Sequence, residues 1–356
     1  MESFKVLSSL EKKEWKEVIR RLGNDTYYQY EYYKLYEDYG DGEMFCFVYE
    51  NKDNFIAYPF LKNKITLLEQ EGSYYDIEGA YGYNGLLTTT NETKVINSFY
   101  DMFTKYCEKE NIIAEFTRFN PLLNNHKLSK NYLDILFDRK TVCIEVENHD
   151  YDFFYQNFSN SCKRAIKKAK KEGVTGKVIE KPTKEDLLLF FDIYTENMKR
   201  VNASTYLMFN KQYFLSMDKI EDVVIYYAII KEKVIGAFLC FINKEHAHYH
   251  LGASRTEFLN FRPNNFLYNE FIKSAINRKV SKIHFGGGRT ISEDDSLLKF
   301  KLMYSKKTKD FFIGKKIHNE SIYKKVIQIW EKKYEELIGT SNNLLRYKIT
   351  VNNKNG

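Results

Sequence analysis

Several features that mark common protein classes are scarce or absent in this sequence. Its five cysteines are odd in number and scattered, with no C-x-x-C, which excludes a disulfide framework and fits free thiols in a reducing compartment. The first fifteen residues lack the apolar core of a signal peptide. The longest apolar run, Val234–Ile242, is far shorter than the roughly 20 residues that cross a bilayer. We therefore expect a soluble, cytoplasmic protein.

Three motifs of well-known enzyme classes are also missing. No G-x-x-x-x-G-K-[ST] loop is present, so the chain is not a P-loop nucleotidase. No G-x-G-x-x-G fingerprint opens the chain, and no G-x-S-x-G elbow provides a hydrolase serine. We expect no tightly bound cofactor.

Length, aromatic content and charge describe what is present. A chain of 356 residues exceeds the usual size of a single core, so two domains are expected. Tyrosine (29) and phenylalanine (27) greatly outnumber tryptophan (2), which places flat rings in clefts as well as in cores. The net charge of +7 favours anionic or phosphate-bearing partners but does not by itself indicate nucleic acid.

The most informative stretch runs from Ser281 to Ile313. Lys282–Phe285 predicts a short strand that ends at the glycine turn Gly286–Gly288, and Ser292 with Asp295 predicts a capping box before a short helix. Lys301 lies in that mostly apolar helix, where it faces a ligand or extends to water. The amides of the glycine turn, Gly287 among them, are suited to receive an anion.

A repeated order of elements predicts the fold. A strand hairpin, a helix and a further strand occur twice, as Phe45–Leu61, Asn91–Glu110 and Ile112–Phe116, and as Ile225–Ile242, Asn264–Arg278 and Lys282–Phe285. Pro59 predicts that the second strand of the first set lies at a sheet edge or a bulge. We expect an α/β (α+β) protein with two similar domains in tandem, residues 1–149 and residues 150–356, each a mixed sheet flanked by helices.

Two further segments have both a structural and a functional interpretation. Tyr74–Gly85 is neither a regular helix nor a regular strand and predicts a packed surface loop or a ligand-facing loop. Asp150–Lys171 predicts one regular helix with a cationic block over Lys163–Lys171. These cations are either solvated near the helix C-terminus or bind phosphates or an anionic membrane surface.

The segment HAHYH brings three histidines close together in sequence. His246, His248 and His250 share one face if the segment is a strand, and imidazoles at such spacing can bind a transition metal. No cysteine or carboxylate nearby completes a ligand set, so packed histidines are the simpler interpretation. We assign no metal site.

Several motifs together resemble the FemABX family, whose members transfer amino acids to peptidoglycan precursors. They are YYDIEGAYGYNG at Tyr74–Gly85, CKRAIKKAKKEGV at Cys162–Val174, HYHLGASRTEFLNFRPNNFLYNEFI at His248–Ile272, KIHFGGGRTISEDDSLLKFKLMYS at Lys282–Ser305 and, more weakly, YTENMKRVNASTYLMF at Tyr194–Phe209. The resemblance spans nearly the whole chain and implies two tandem domains of the GNAT acyltransferase fold. It agrees with the duplication of elements.

The resemblance also implies roles for individual residues. The family's phenylalanine-lysine pair falls on Phe300 and Lys301, and its lysine stabilises charge that develops on the carbonyl during acyl transfer. Residues implied to bind the acceptor are Arg200, Tyr206 and Tyr249, with Tyr81 and Tyr83 facing the same cleft. Residues that we expect near the donor are Asn264, Asn265, Gly287 and Arg289.

The donor loop departs from the pattern of CoA-dependent GNAT enzymes. Where those enzymes carry Q/R-x-x-G-x-G/A, this chain reads FRPNNF over residues 261–266, and Pro263 has no amide hydrogen for a pyrophosphate. No coiled-coil arm of the kind found in some aminoacyl-tRNA users is present either. The donor is therefore aminoacyl-tRNA or acyl-CoA.

The reaction that we expect is transfer of an acyl or aminoacyl group to an amine of a cell-envelope precursor, from peptidoglycan or a polysaccharide. That precursor would carry a nucleotide or a lipid, and charged tRNA and a peripheral membrane contact are further possible partners. One alternative is a CoA-dependent N-acetyltransferase acting on an amino sugar. Another is a non-catalytic protein of this fold that binds RNA or an anionic surface.

Overall fold

The computed structural model describes residues 2–204, 207–339, 341 and 343–350. In chain order, the strands are β1 Ser3–Leu7, β2 Glu43–Glu50, β3 Phe55–Lys64, β4 Tyr75–Glu78, β5 Leu87–Thr88, β6 Ile112–Arg118, β7 Asp134–Glu145, β8 Thr175–Ile179, β9 Val223–Ile230, β10 Lys233–Ile242, β11 His246–Ser254, β12 Lys282–Gly287 and β13 Thr308–Ile317. The α-helices are α1 Lys12–Arg21, α2 Tyr30–Tyr39, α3 Thr93–Lys109, α4 His126–Ser129, α5 Tyr151–Gln156, α6 Asn160–Lys171, α7 Lys184–Arg200, α8 Lys211–Leu215, α9 Pro263–Asn277, α10 Ser296–Lys301 and α11 Glu320–Lys333. No helix in the described ranges has both the length and the hydropathy needed to cross a bilayer.

The chain forms two compact units, residues 1–138 with 311–356, and residues 139–310. In the first unit the strand order is β1-β2-β3-β4-β6-β13, with β5 paired to β3. Consecutive residues of β6 point to opposite faces of the sheet. On one face Ile112 packs among the aromatic side chains of α3, and on the other Ile113 packs against α11. The sheet of this unit is therefore covered by a helix on each face.

The second unit has the strand order β7-β12-β11-β10-β9-β8. Tyr226 and Tyr227 are neighbours in β9, and their hydroxyls donate to Ser274 on α9 and to the Asp186 carbonyl on α7. Because neighbouring strand residues face opposite ways, α9 and α7 lie on opposite faces of this sheet. Both units thus contain the hairpin, helix and strand that the duplication predicted, and in each unit that last strand pairs in parallel with an additional strand, β4 or β11.

The observed division differs from the predicted boundary between residues 149 and 150. In β7, Thr141 to Glu145 pair with β12 and belong to the second unit, whereas β13 returns to pair with β6 of the first unit. The C-terminal helix α11 also packs on β6 of the first unit. These pairings join residues about 140 to 200 positions apart, so a boundary drawn from local patterns could not locate them.

The prediction for Pro59 is wrong, since β3 lies inside the sheet between β2 and β4. Proline is accommodated because β5 pairs with Ile56 and Ala57 whereas β4 begins to pair at Leu61, which leaves a gap beside Pro59. The Pro59 carbonyl faces that gap and accepts from Tyr33 and Asn84. The missing N–H of Pro59 therefore removes no ladder bond.

Two other local predictions need correction. The single helix predicted over Asp150–Lys171 is broken into α5 and α6, because Ser159 caps α6 and its own N–H donates to the Met303 carbonyl at 2.8 Å. The irregular stretch Tyr74–Gly85 begins with a regular strand, β4.

Candidate active site

The site begins where two parallel strands of the second unit separate. β11 and β12 pair only over His246–His248 and Lys282–His284. On its other side β12 pairs with β7 from Lys282 to Gly287, with a register shift between His284 and Gly286, and Gly286 adopts a left-handed φ of 71°. The pairing of β11 with β12 therefore ends at His248 and His284, and the two strands separate beyond these residues.

Lys301 lies at this divergence. It is the last residue of α10, and only 3% of its surface is exposed. Its Nζ donates to the Gly287 carbonyl at 2.6 Å and lies 5.5 Å from the ring centroid of Tyr249 on β11. The structure thus brings together three of the predicted site residues: Lys301 on α10, Gly287 on β12 and Tyr249 on β11.

The pKa of Lys301 is shifted by its surroundings. Burial lowers the pKa of its ammonium from 10.5 to about 7, while the Asp295 carboxylate raises that pKa and the Arg139 guanidinium lowers it further. An amine with a pKa near neutrality is present in both protonation states at physiological pH. Lys301 can therefore donate as an ammonium or accept a proton as an amine.

An aromatic wall supports this lysine. The Tyr268 ring on α9 stacks on Tyr249 at 5.2 Å and on Tyr304 at 5.0 Å. Phe300 contacts Tyr268 and Tyr304 edge-on, at 5.6 and 5.7 Å. Phe300, predicted as the partner of Lys301, thus anchors α10 to α9 and holds the neighbouring lysine in place.

The residues expected near the donor occupy two places. Asn264 and Asn265 lie in the first turn of α9, where the Asn264 Oδ1 accepts from Ser254 at 2.6 Å and the Asn265 amide donates to Tyr304 at 3.0 Å. Asn265 is 7% exposed, so its side chain supports the wall from inside. Arg289 follows the glycine turn, two residues after Gly287, and its side chain is exposed.

The residues expected to bind the acceptor lie on different elements of the two units. Arg200 is exposed at the end of α7 and donates to Asn197, which also accepts from the backbone N–H of Ser254 at the end of β11. Tyr206 lies outside the described residues. Tyr81 and Tyr83 belong to the first unit. There the Tyr81 carbonyl accepts from Tyr32, and the Tyr83 ring contacts Tyr27 and Phe311.

Among the histidines of β11, His250 packs against residues of the core. The His250 Nε2 is 3.1 Å from the Tyr213 hydroxyl, and its ring lies 4.4 Å from that of Phe241. Burial, with a smaller contribution from His248, lowers the pKa of His250 to about 3. His250 is therefore a neutral core residue paired with tyrosine.

Two residues beside Lys301 were missed as functional. Asp295, read only as the second half of a capping box with Ser292, is itself the N-cap of α10 and also accepts from the backbone of Arg289 and Thr290. Arg139 on β7 donates to the carbonyls of Gly288 and Arg289. Nothing in the local sequence of Arg139 indicates this contact, because its partners are about 150 residues away.

Comparison with known proteins agrees with this architecture. Residues 156–296 match the family described as acetyltransferase (GNAT) domain. The structure of FemX superposes with a TM-score of 0.66 at 13% identity, covering 90% of this chain and 99% of FemX. The C-terminal domain of a putative lysylphosphatidylglycerol synthetase from Agrobacterium fabrum gives 0.56 at 11% identity, covering 94% and 100%.

A tandem GNAT protein from the clavulanic acid biosynthesis pathway has a TM-score of 0.50 at 7% identity, covering 90% of this chain and 99% of that protein. No curated protein sequence matches this chain. At these identities the structural likeness concerns the fold. Residues 156–296 are thus similar to an acetyltransferase (GNAT) domain, and the chain shares its fold with FemX and with a tandem GNAT protein, as its motifs predicted.

Proposed function

We propose that this protein transfers an acyl or aminoacyl group to an amine of a cell-envelope precursor. The observation that carries the proposal is the buried Lys301, held on the Gly287 carbonyl where β11 and β12 separate. A fixed cation beside a reacting carbonyl is among the largest catalytic contributions in acyl transfer.

The proposed reaction needs few catalytic groups. The acceptor amine attacks the carbonyl carbon of the donor, and the ester or thioester C=O becomes an oxyanion. The Lys301 ammonium donates a hydrogen bond to that oxygen, since its Nζ lies within reach of a group bound between β11 and β12. The tetrahedral intermediate then expels the donor's alcohol or thiol, and the amine proton passes to solvent or to the leaving group. Holding the two reactants together supplies the remaining acceleration.

The similarity to FemX and to a putative lysylphosphatidylglycerol synthetase supports an aminoacyl donor and an acceptor from the cell envelope. The start of α9 supports the same choice of donor. Pro263 lacks an amide hydrogen, so one of the backbone donors that a CoA pyrophosphate would use at the start of this helix is missing. We therefore favour aminoacyl-tRNA over acyl-CoA, and a nucleotide- or lipid-linked precursor as acceptor. All five cysteines are buried free thiols, which supports a reaction in the cytoplasm.

One observation favours a second candidate function, RNA binding without catalysis. Arg164, Lys167 and Lys171 are exposed at helical spacing on α6 and form no ion pair within the described part of the chain. A phosphate backbone fits such a face. If this were the function, RNA binding would weaken steeply with salt and would not depend on Lys301.

A transfer assay tests the proposal. Labelled aminoacyl-tRNA or acetyl-CoA is supplied with a UDP-linked amino sugar or peptide precursor, and the amide product is quantified. Lys301→Ala should lower kcat by about 10²–10³-fold, as loss of an oxyanion donor does. Lys299→Ala is the matched control, because Lys299 lies on the same helix but is exposed and pairs with Asp294. Equal rates in the two variants would overturn the role of Lys301.

A further inference from the structure

A single carboxylate organises the loop between β12 and α10. The Asp295 Oδ1 accepts from the backbone N–H groups of Leu297 and Leu298, both at 2.9 Å. Its Oδ2 accepts from the N–H of Arg289 at 2.9 Å and from the N–H and hydroxyl of Thr290 at 3.1 and 3.2 Å. One side chain thus joins the end of the glycine turn to the beginning of the lysine helix.

Arg139 fixes the other side of the same turn. Its NH1 donates to the Gly288 carbonyl at 3.0 Å and to the Arg289 carbonyl at 2.9 Å. The fit is close, because a Cβ on Gly287 would come within 2.8 Å of the Arg139 side chain and a Cβ on Gly288 within 2.5 Å of Asp295. The turn is therefore held between a carboxylate and a guanidinium.

Both contacts converge on Lys301. Gly287, whose carbonyl receives the ammonium, immediately precedes the residues that Arg139 and Asp295 hold, and α10, which carries Lys301, begins at Asp295. We propose, on the basis of the transfer reaction proposed above, that Asp295 and Arg139 are positioning residues that set the location and the charge of Lys301 through opposite electrostatic effects.

The charges around Lys301 support opposite effects. Asp295 from the cap of α10 and Arg139 from β7 are the charged groups that act on it, while Tyr249 from β11 presents its ring, on which Tyr268 of α9 stacks. A nearby anion favours the ammonium and a nearby cation disfavours it. Burial raises the pKa of Asp295, but the hydrogen bonds from the backbone N–H groups of Leu298, Arg289 and Thr290 lower it by more. The pKa of Asp295 is therefore below its ordinary value. Asp295 is therefore a permanent negative charge at neutral pH.

The test follows the titration of Lys301 directly. Protein labelled with ¹³C and ¹⁵N in lysine is titrated by NMR, and the Lys301 signal is assigned by its absence in Lys301→Met. In Asp295→Asn the pKa of Lys301 should fall, because an anion is lost, whereas in Arg139→Gln it should rise, because a cation is lost. Asp294→Asn is the matched control, since this neighbouring carboxylate is exposed and pairs with Lys299. An unchanged Lys301 titration in both Asp295→Asn and Arg139→Gln would overturn the proposal.

Kinetics separate this proposal from the reaction on which it rests. Asp295→Asn should lower kcat by about tenfold or more with little change in KM, since misplacement of a catalytic group slows the chemical step. If the NMR shifts appear but no variant alters transfer, the electrostatic inference stands and the assigned reaction fails. If Asp295→Asn does not fold, two variants still test the proposal. Thr290→Val removes the hydroxyl that donates to the Asp295 carboxylate, and Arg139→Gln removes the cation. A Lys301 titration that stays at its wild-type position in both variants overturns the proposal.

Discussion

Replacement of Lys301 by methionine should stabilise the second unit at low pH. Methionine keeps an unbranched apolar side chain of similar length but carries no charge. The shift of the Lys301 pKa from 10.5 to about 7 corresponds to about 5 kcal/mol of unfavourable free energy in the folded state, at 1.36 kcal/mol per pKa unit. The variant loses the hydrogen bond to the Gly287 carbonyl, which costs about 1–3 kcal/mol. The net gain at pH 6 is therefore about 2–4 kcal/mol.

The sign of this difference should change with pH. Below pH 7 Lys301 is protonated in both the folded and the unfolded chain, so the full burial penalty is present. Between about 7 and 10.5 the folded chain has released the proton and the unfolded chain has not, so wild-type stability rises with pH. At pH 10 little of the penalty remains, and the wild type should be as stable as the variant or more so.

Urea unfolding at pH 6, 8 and 10 measures the effect. Both tryptophans, Trp15 and Trp330, lie in the first unit, so fluorescence follows that unit while circular dichroism follows both. The expected change is confined to the transition that fluorescence does not report. Lys299→Met, an exposed lysine on the same helix, should change little. A stability difference that is the same at pH 6 and pH 10 would refute the reasoning about buried charge.

Three further outcomes are expected. If the ammonium of Lys301 is the active form, kcat should fall as pH rises through about 7, and an initial-rate profile from pH 5.5 to 9 checks this. Tyr249→Ala should raise the KM for the acceptor more than it lowers kcat, whereas Tyr249→Phe should retain the ring over Lys301, and unchanged KM in the alanine variant would contradict a binding role. In the first unit, Lys348→Met should lower the free energy of unfolding by about 3 kcal/mol. The Lys348 Nζ lies 2.6 Å from a carboxylate oxygen of the buried Asp76 and 2.7 Å from one of Glu78, so its loss leaves both carboxylates without their shared cation. Tryptophan fluorescence in urea measures the change.

The parts of the structure that depend on local sequence were predictable. Alternating and helical patterns located the two hairpins and the helices α3 and α9 within a few residues, because side-chain periodicity follows from backbone geometry. The position of Lys301 after a strand, a glycine turn and a short helix also followed from adjacent residues. The contacts of Lys301 with Gly287 and Tyr249 follow once the second unit adopts the fold that its motifs predicted.

Features that depend on distant partners were not predictable. The glycines, tyrosines and carboxylates of Tyr74–Gly85 predicted an irregular segment. Asp76 and Glu78 nevertheless belong to strand β4, where Tyr347 and Lys348 bind their carboxylates. Arg139 gave no sign of its contact with the glycine turn. The cap at Ser159 was visible only as a serine inside an otherwise continuous helical pattern, and it is the Met303 carbonyl that makes the break.

The return of the chain to β13 sets an order for folding during synthesis. The second unit is continuous in sequence, so all of its strands are available once residue 310 has left the ribosome. The first unit, although begun earlier, lacks the strand that pairs with β6 and the helix that covers it until residues 311–333 emerge. At about 5–20 residues per second, its β6 edge and adjoining apolar face wait on the order of ten seconds or more without their final partners. For that interval the unpaired edge of β6 in the nascent chain is open to pairing with other strands.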